Sequence, residues 1–181
     1  DEKNIVTSDG AISFNKIPET MAVIGGGYIG LELGSVWKRL GSKVTVIEFL
    51  DGIVPTMDKD AASILFSSLA KQGIRFLLET KVMEAKEKGG MVEIKCVSNN
   101  TNKKEIVKVE KVLLAVGRKP YTEELGLREI GLKLNKNGTI LVNENFATSL
   151  KGIYAIGDVI NGPMLAHKAS AEGHAFAEKI A

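Results

Sequence analysis

The chain has a single cysteine, Cys96, so it can close no disulfide within itself and carries no redox cysteine pair of its own. Two histidines, His167 and His174, with no second cysteine supply too few soft ligands for a zinc site. No run of 18 apolar residues and no signal-like segment occurs, so nothing marks a membrane partner. Charge of one sign is also missing. The 24 Lys and Arg against 22 Asp and Glu leave a formal +2, too little to argue for nucleic acid or a membrane surface. Apolar residues at 44% and charged residues at 25% are near globular averages, so disorder is not indicated. A chain of 181 residues can build one substantial core, or one domain plus a piece of another. The composition fits a soluble intracellular domain. Asp1 stands first without a methionine and just upstream of a strand, which leads us to expect a portion of something longer.

What the chain does have is glycine in an informative place. Met21 to Ile24 is an apolar strand, Gly25, Gly27 and Gly30 form a GxGxxG turn, and a helical pattern runs on from Tyr28. A second strand ends at Glu48, 23 residues after Gly25, close to the roughly 20 expected for the acid of a dinucleotide-binding βαβ unit. Gly25 allows the tight turn, and Gly27 lets the backbone approach a pyrophosphate. The amides around Tyr28 and Ile29 open the helix, whose dipole favours an anion there. Gly30 and Gly34 share a helical face and permit close packing on the strands. Glu48 can accept hydrogen bonds from both hydroxyls of an adenosine ribose but would repel a 2′-phosphate, and Phe49, Leu50 and Asp51 after it are not basic. NAD(H) is therefore expected over NADP(H). A glycine-rich turn that binds another ligand, such as S-adenosylmethionine, is the bland alternative.

The remaining pattern predicts a doubly wound α/β fold. Residues 5–17 read as a lead-in with a turn at Ser8-Asp9-Gly10. A helix over Tyr28–Leu40 stops at Gly41, and Lys43–Glu48 is the second strand. Asp58 is placed to cap a helix reaching Gln72, with Ile64, Leu65 and Leu69 apolar, and Ile74–Leu78 is a third strand. The helix–strand alternation then breaks. Lys81–Lys86, Met91–Ser98 and Glu105–Val109 read as an antiparallel meander in place of a crossover helix. Within it Val92, Ile94 and Cys96 alternate with Glu93 and Lys95, which puts the thiol on an apolar face as a buried, inert group. Val112–Val116 is nearly all apolar, as expected of a strand inside a parallel sheet, and it runs into Gly117. Residues 121–181 lack a long period. Thr139–Val142 and Ile153–Ile156 read as strands, and Leu165, Ala169, Ala175, Phe176 and Ile180 as a helical stripe. This tail is too small for a sizeable core of its own, so it is expected to pack on a partner domain.

Three stretches now carry a resemblance: Gly25-Gly-Gly-Tyr-Ile-Gly-Leu-Glu-Leu-Gly34, Ala115-Val-Gly-Arg-Lys-Pro120, and Ile153-Tyr-Ala-Ile-Gly-Asp158 followed by Gly162-Pro-Met-Leu-Ala-His-Lys168. In order and spacing, from about residue 5 to the end, they resemble the dihydrolipoamide dehydrogenases, the flavoprotein E3 components of 2-oxo acid dehydrogenase complexes. The resemblance implies a Rossmann-like parallel sheet with an antiparallel meander in residues 1–120, and a returning strand and helix of the FAD-binding domain in 121–181. It implies an NAD loop of Gly25, Gly26, Gly27, Tyr28, Ile29, Gly30, Leu31 and Glu32, with Glu48 on the ribose, Val82 beside the adenine and Gly117 toward the nicotinamide. Tyr28 would cover the nicotinamide pocket and move aside for the cofactor, and Glu32 would lie near the nicotinamide. Asp158 would accept from the ribityl chain of FAD, while Met164, Leu165, Ala166 and His167 present their backbone to the flavin. A helix-surface acid and a simple N-cap are the bland readings of Glu32 and Asp158.

The resemblance further implies a parent that oxidises dihydrolipoamide through a disulfide and FAD to NAD⁺. Such a parent is a homodimer in 2-oxo acid complexes, in a bacterial cytoplasm or a mitochondrial matrix. The first dinucleotide fingerprint, the CxxxxC disulfide and the acid–base histidine of that family do not occur in this sequence. The chain alone is thus expected to bind NAD(H) without oxidising dihydrolipoamide. Its tail is expected to expose apolar surface and to be disordered, swapped or dimerised. Alternatives left open are an NADPH-linked reductase of the glutathione or mercuric type, a flavin-dependent NADH oxidase or peroxidase, and a non-enzymatic nucleotide-binding module.

Overall fold

A computed structural model describes residues 3–181, which divide into two compact units, one ending at Gly117 and the other beginning at Arg118. In the first, β1 (Ile5–Val6), β2 (Thr20–Ile24), β3 (Lys43–Ile47), β4 (Arg75–Leu77) and β8 (Lys111–Leu114) form a five-stranded sheet in the order β1-β8-β2-β3-β4. Every pairing in it is parallel. Alternation along the strands sorts side chains to two faces. Met21, Val23, Val44, Val46 and Leu113 join one core with Leu31 and Trp37 of α2 (Tyr28–Leu40) and Leu69 of α3 (Lys59–Lys71). Ala22, Ile24, Ile47 and Val112 join the other, which is closed by β5 (Thr80–Lys88), β6 (Met91–Ser98) and β7 (Lys104–Val109). These three strands pair antiparallel in the order β5-β6-β7, so the meander does the work of a crossover helix by covering the second face.

Local signals explain most boundaries. Helix α2 ends on Gly41 in the left-handed conformation at φ 116, with Arg39 and Lys38 in its last turn favouring the dipole. The Asp58 carboxylate caps α3 by accepting from the amides of Asp60 and Ala61. In α3, however, Ile64 is 72% exposed and Leu65 lies outward, while Ala62, Phe66 and Leu69 face the sheet and Phe66 packs on Phe76 with ring centroids 4.7 Å apart. The expected turn at Ser8-Asp9-Gly10 is instead a one-turn helix, α1 (Ser8–Ala11). It brings Ala11 beneath Trp37, whose indole N–H donates to the Ala11 carbonyl at 3.0 Å. The lead-in before it is no spacer, because β1 pairs with β8 and forms the edge of the sheet. Strand β8 stops at Leu114, short of the predicted end at Val116, and Val116 is exposed.

The second unit is leaner. Its core is Leu132, Ile140, Ala155 and Ile160. The two predicted strands are absent, and isolated bridges join Leu134 to Ile140, Ile140 to Ile160 and Ala147 to Tyr154. Each segment finds one partner residue at a time, so no ladder propagates. Helix α4 (Ala166–Ile180) forms as the pattern predicts, yet none of its residues is fully buried. Its inward stripe is Ala169, Glu172, Gly173 and Phe176, with Phe176 against Tyr154 at 4.8 Å between centroids; Ala175 and Ile180 are exposed.

Cys96 is buried on β6 and shares the core that the meander closes with Ile94 and Val107. Burial, and to a lesser degree the Glu105 carboxylate, push its thiol up to about 11. Native protein is therefore expected to resist a thiol-specific disulfide reagent at mildly alkaline pH and to react promptly once unfolded in urea; ready labelling of the native chain would contradict the burial. The folded-state value lies above the ordinary 9.0. The thiol's contribution to stability is thus complete below that pH and is lost as pH rises through about 11. Urea midpoints across this range are expected to fall more steeply for the wild type than for Cys96→Ala.

Candidate functional site

The carboxyl ends of three parallel strands meet at one edge of the large sheet, at Ile24, Ile47 and the residue after β8, Ala115. There the strand order reverses, with β3 on one side of β2 and β8 on the other, and such switch points are where open α/β sheets bind ligands. A cavity of about 490 Å³ opens at this edge.

Its floor is the glycine turn. The Gly25 amide donates to the Ile47 carbonyl at 2.9 Å and the Ala115 amide to the Ile24 carbonyl at 2.8 Å, so the turn is stitched between β3 and β8. Gly25 sits at φ 108, and a Cβ there would lie 2.3 Å from the Ala115 carbonyl oxygen. A Cβ on Gly30 would lie 2.5 Å from the Gly25 oxygen and 2.8 Å from Val23 Cγ1, which identifies Gly30 as the close-packing glycine. Gly27 differs: it is the N-cap of α2 with extended backbone, and a Cβ there would meet nothing within 4 Å. The helical ladder begins with Leu31 N–H donating to Gly27 O at 3.0 Å. The amides of Ile29 and Gly30 precede that bond, at the positive end of a 13-residue helix dipole.

Glu48 is buried on the wall. Its Oε2 accepts from the Gly26 amide at 2.5 Å and its Oε1 from the Leu50 amide at 2.8 Å. These bonds orient the carboxylate and leave lone pairs on both oxygens for further donors. The loop over 49–57 folds back onto the same turn, because Val54 N–H donates to Gly26 O at 2.9 Å. Val54 does this at φ 41, a strained conformation for a β-branched residue. From the β6–β7 turn, Asn99 Nδ2 donates to Phe49 O at 2.8 Å and ties the start of the loop to the meander. Across the cavity stands Val82, just before an irregularity in β5 where pairing skips from Val82–Cys96 to Glu84–Lys95. The bulge turns Met83 out to solvent. Beyond it Lys86 and Lys95 both pair with Glu84 and hold its carboxyl down to about 2.

Of the residues singled out from the sequence, the cavity collects Gly25, Gly27, Tyr28, Glu48, Val82 and Gly117. Gly26 is buried behind the turn, bonded to Glu48 and Val54. Gly30 and Leu31 face the core, Ile29 is half-buried, and Glu32 is exposed on α2 away from the cavity lining. Sequence reasoning missed Val54, Pro55 and Thr56, and also Thr80 and Lys81 beside Val82. The signal available for the loop was its position at the carboxyl edge of the second strand.

In the second unit, Asp158 occupies a 3-10 turn over Gly157–Val159, with its Oδ2 3.6 Å from Arg118 Nη2. Leu165 is the N-cap of α4, Met164 precedes it half-buried, and Ala166 and His167 are exposed in the first turn.

The sequence signature of the pyridine nucleotide-disulphide oxidoreductases matches residues 1–173. The chain belongs to that family. It is 50% identical over 180 residues to a leghemoglobin reductase of Glycine max, covering 99% of the chain and 34% of the relative. It is 49% identical over 181 residues to a mitochondrial dihydrolipoyl dehydrogenase of Pisum sativum, covering all of the chain and 36% of the relative. The chain thus spans about a third of the length of the curated relatives it matches. Among solved structures, an HOCl-induced flavoprotein disulfide reductase from Escherichia coli superposes with a TM-score of 0.86 at 26% identity, over 98% of the chain and 40% of that protein. LpdA from Mycobacterium tuberculosis gives 0.87 at 28% identity, over 99% and 38%. The parallel sheet with a separate antiparallel three-stranded sheet is the architecture of this family.

The glycines are expected to separate by role. Gly25→Ala, which combines a positive φ with a backbone clash, is expected to lose about 2 kcal/mol or more in urea unfolding. Gly27→Ala is expected to cost no more than about 1 kcal/mol, the loss of a glycine N-cap without a clash. Equal losses would contradict the assignment of packing to one and open space to the other.

Proposed function

We propose that residues 1–120 are the NAD(H)-binding domain of a dihydrolipoyl dehydrogenase and residues 121–181 the returning segment of its FAD-binding domain. The observation that carries the nucleotide reading is the Glu48 carboxylate, fixed by two backbone amides on the wall of a cavity floored by a helix N-terminus. A dinucleotide laid along this edge puts its pyrophosphate at Gly27 and the amides after it, where the dipole favours the charge and no Cβ intrudes. Its adenosine ribose reaches Glu48, which accepts from the 2′- and 3′-hydroxyls. Val82 flanks the adenine, Gly117 borders the nicotinamide end, and Tyr28 lies over that end as a side chain that must swing away. Glu32, exposed on α2 outside the cavity lining, is placed near the nicotinamide by the resemblance alone. The carboxylate disfavours a 2′-phosphate, which supports NAD(H) over NADP(H).

The flavin reading rests on Asp158 and on the α4 N-terminus. Asp158 would accept from a ribityl hydroxyl. The backbone of Met164, Leu165, Ala166 and His167 would border the ring at the positive end of a 15-residue helix. When bound, FAD supplies the electron-transfer chemistry between a disulfide and the nicotinamide. This chain's part is to hold and orient. The parent's cysteine pair, its acid–base histidine, a homodimeric state and a place in a 2-oxo acid complex are part of the same proposal, which the relatives named dihydrolipoyl dehydrogenase support. Those from Pisum sativum and Schizosaccharomyces pombe are named mitochondrial, which supports a matrix location.

Calorimetric titration with NADH and NADPH at one ionic strength tests the reading. NADH is expected to bind at least about tenfold more tightly, and Glu48→Ala to weaken NADH by about 10- to 100-fold, the range for lost hydrogen bonds to a charged acceptor. Equal or tighter NADPH binding would overturn the cofactor assignment and point to Lys81, the cation on the cavity wall, as the phosphate partner.

A further inference from the structure

Helix α4 buries none of its residues fully, yet two of its half-buried side chains form an ion pair. Lys168 Nζ and Glu172 Oε1 lie 3.0 Å apart, one helical turn from each other, with side chains only 16% and 18% exposed. A solvent-exposed pair at this spacing is worth about 0.3–0.5 kcal/mol and needs no enclosure. Enclosing two charges is costly unless their remaining hydrogen-bonding capacity is used. Here it is used on a single residue. Glu172 Oε2 accepts from the Gly157 amide at 2.7 Å, and Lys168 Nζ donates to the Gly157 carbonyl at 3.2 Å.

Gly157 is a residue that such bonds restrain effectively. It stands at φ 75, where L side chains are rarely found, and it has the broad conformational freedom of glycine. Its amide belongs to the peptide plane before it, and its carbonyl to the plane that leads into Asp158. Holding both groups fixes both planes, and so fixes the start of the 3-10 turn from which the Asp158 side chain projects. Space reinforces the arrangement: a Cβ on Gly157 would meet Ala169 Cβ at 3.2 Å, and one on Gly162 would meet Lys168 Cε at 2.7 Å. The turn, the following loop and α4 are thus drawn together around the ion pair.

We infer that Glu172, aided by Lys168, is a positioning residue that presents the Asp158 carboxylate to a ribityl hydroxyl, a role resting on the flavin reading above. Glu172 touches no expected cofactor atom. It acts by removing the hinge freedom of Gly157. The ligand face of Asp158 then depends on a side chain 14 residues further along the chain.

Two measurements test the inference separately from the reading beneath it. In this chain, amide hydrogen exchange read by NMR is expected to show Gly157 at least about tenfold less protected in Glu172→Ala, with protection largely restored in Glu172→Gln, whose carbonyl oxygen can still accept. Unchanged protection in Glu172→Ala would overturn the clamp. In the full-length protein, Asp158→Ala and Glu172→Ala are each expected to raise the FAD dissociation constant about tenfold or more, and the double variant to be no worse than Asp158→Ala alone. Independent, multiplying effects would overturn the positioning role. No effect of Asp158→Ala on FAD would sink the flavin reading and the positioning role with it, while the exchange result would still stand for the clamp. The contact of Phe176 with Tyr154, read by NMR in this chain, is expected to be retained in both single variants and checks that the second unit folds.

Discussion

A methyl group on Gly25 would lie 2.3 Å from the carbonyl oxygen of Ala115, and one on Gly30 would lie 2.5 Å from the carbonyl oxygen of Gly25. This close approach of turn, helix and central strand sets the rest of the cavity edge. Because the turn can press against β8, helix α2 starts directly at the carboxyl ends of the strands. Gly34 then continues the contact by admitting Val23 and Val44. The helix N-terminus is therefore delivered to the switch point of the sheet with its dipole facing the cavity. The Gly26 peptide is delivered with it, its N–H to Glu48 and its carbonyl to Val54. One turn thereby fixes the helix N-terminus, the Glu48 carboxylate and the loop that walls the cavity.

The meander completes the site from the other face. A crossover helix would have closed the second core as well, but it would not have placed a strand end beside the cavity. Thr80 opens β5 by donating its amide to the Glu48 carbonyl at 2.8 Å, so the antiparallel sheet grows directly out of the acid's own backbone. Asn99 at the far turn returns to bond Phe49. The buried alternation of Val92, Ile94 and Cys96 that anchors this sheet on Ile24 and Ile47 also keeps Val82 at the cavity. Core packing and cavity wall are the same strands read on opposite ends.

Much of this was legible in the residues because the signals are local. The bounds of α2 follow from the glycine turn and Gly41, the cap of α3 from Asp58, and the meander from paired turn residues between alternating runs. The failures share a different cause, since each depended on a partner distant in sequence. The Ser8–Ala11 helix is set by Trp37 closing over Ala11, and β1 by its pairing with β8. In α3 the apolar Ile64 suggested one face, but the ring of Phe76 selected Phe66 and its neighbours instead. Val54 could not be read at all. A β-branched residue at φ 41 has no local preference for that state, and it is held there by the bond to Gly26 and by burial.

The second unit shows what happens when apolar pattern outruns available partners. Thr139–Val142 and Ile153–Ile156 have the composition of strands, but a strand is stabilised by a ladder on at least one side, and each of these finds only isolated bridges. Helix α4 survives the same shortage by other means. An isolated helix of its 15 residues would be marginal in water. It is held instead by Phe176 against Tyr154 and Phe146, by Lys179 donating to the Glu144 carbonyl at 3.0 Å and to Asn145, and by the ion pair that grips Gly157. Polar bonds of this kind demand geometry where apolar burial demands only area. A segment with little apolar core therefore keeps a defined Asp158 turn through the residues that bond its backbone, and substitutions there act on shape before they act on stability.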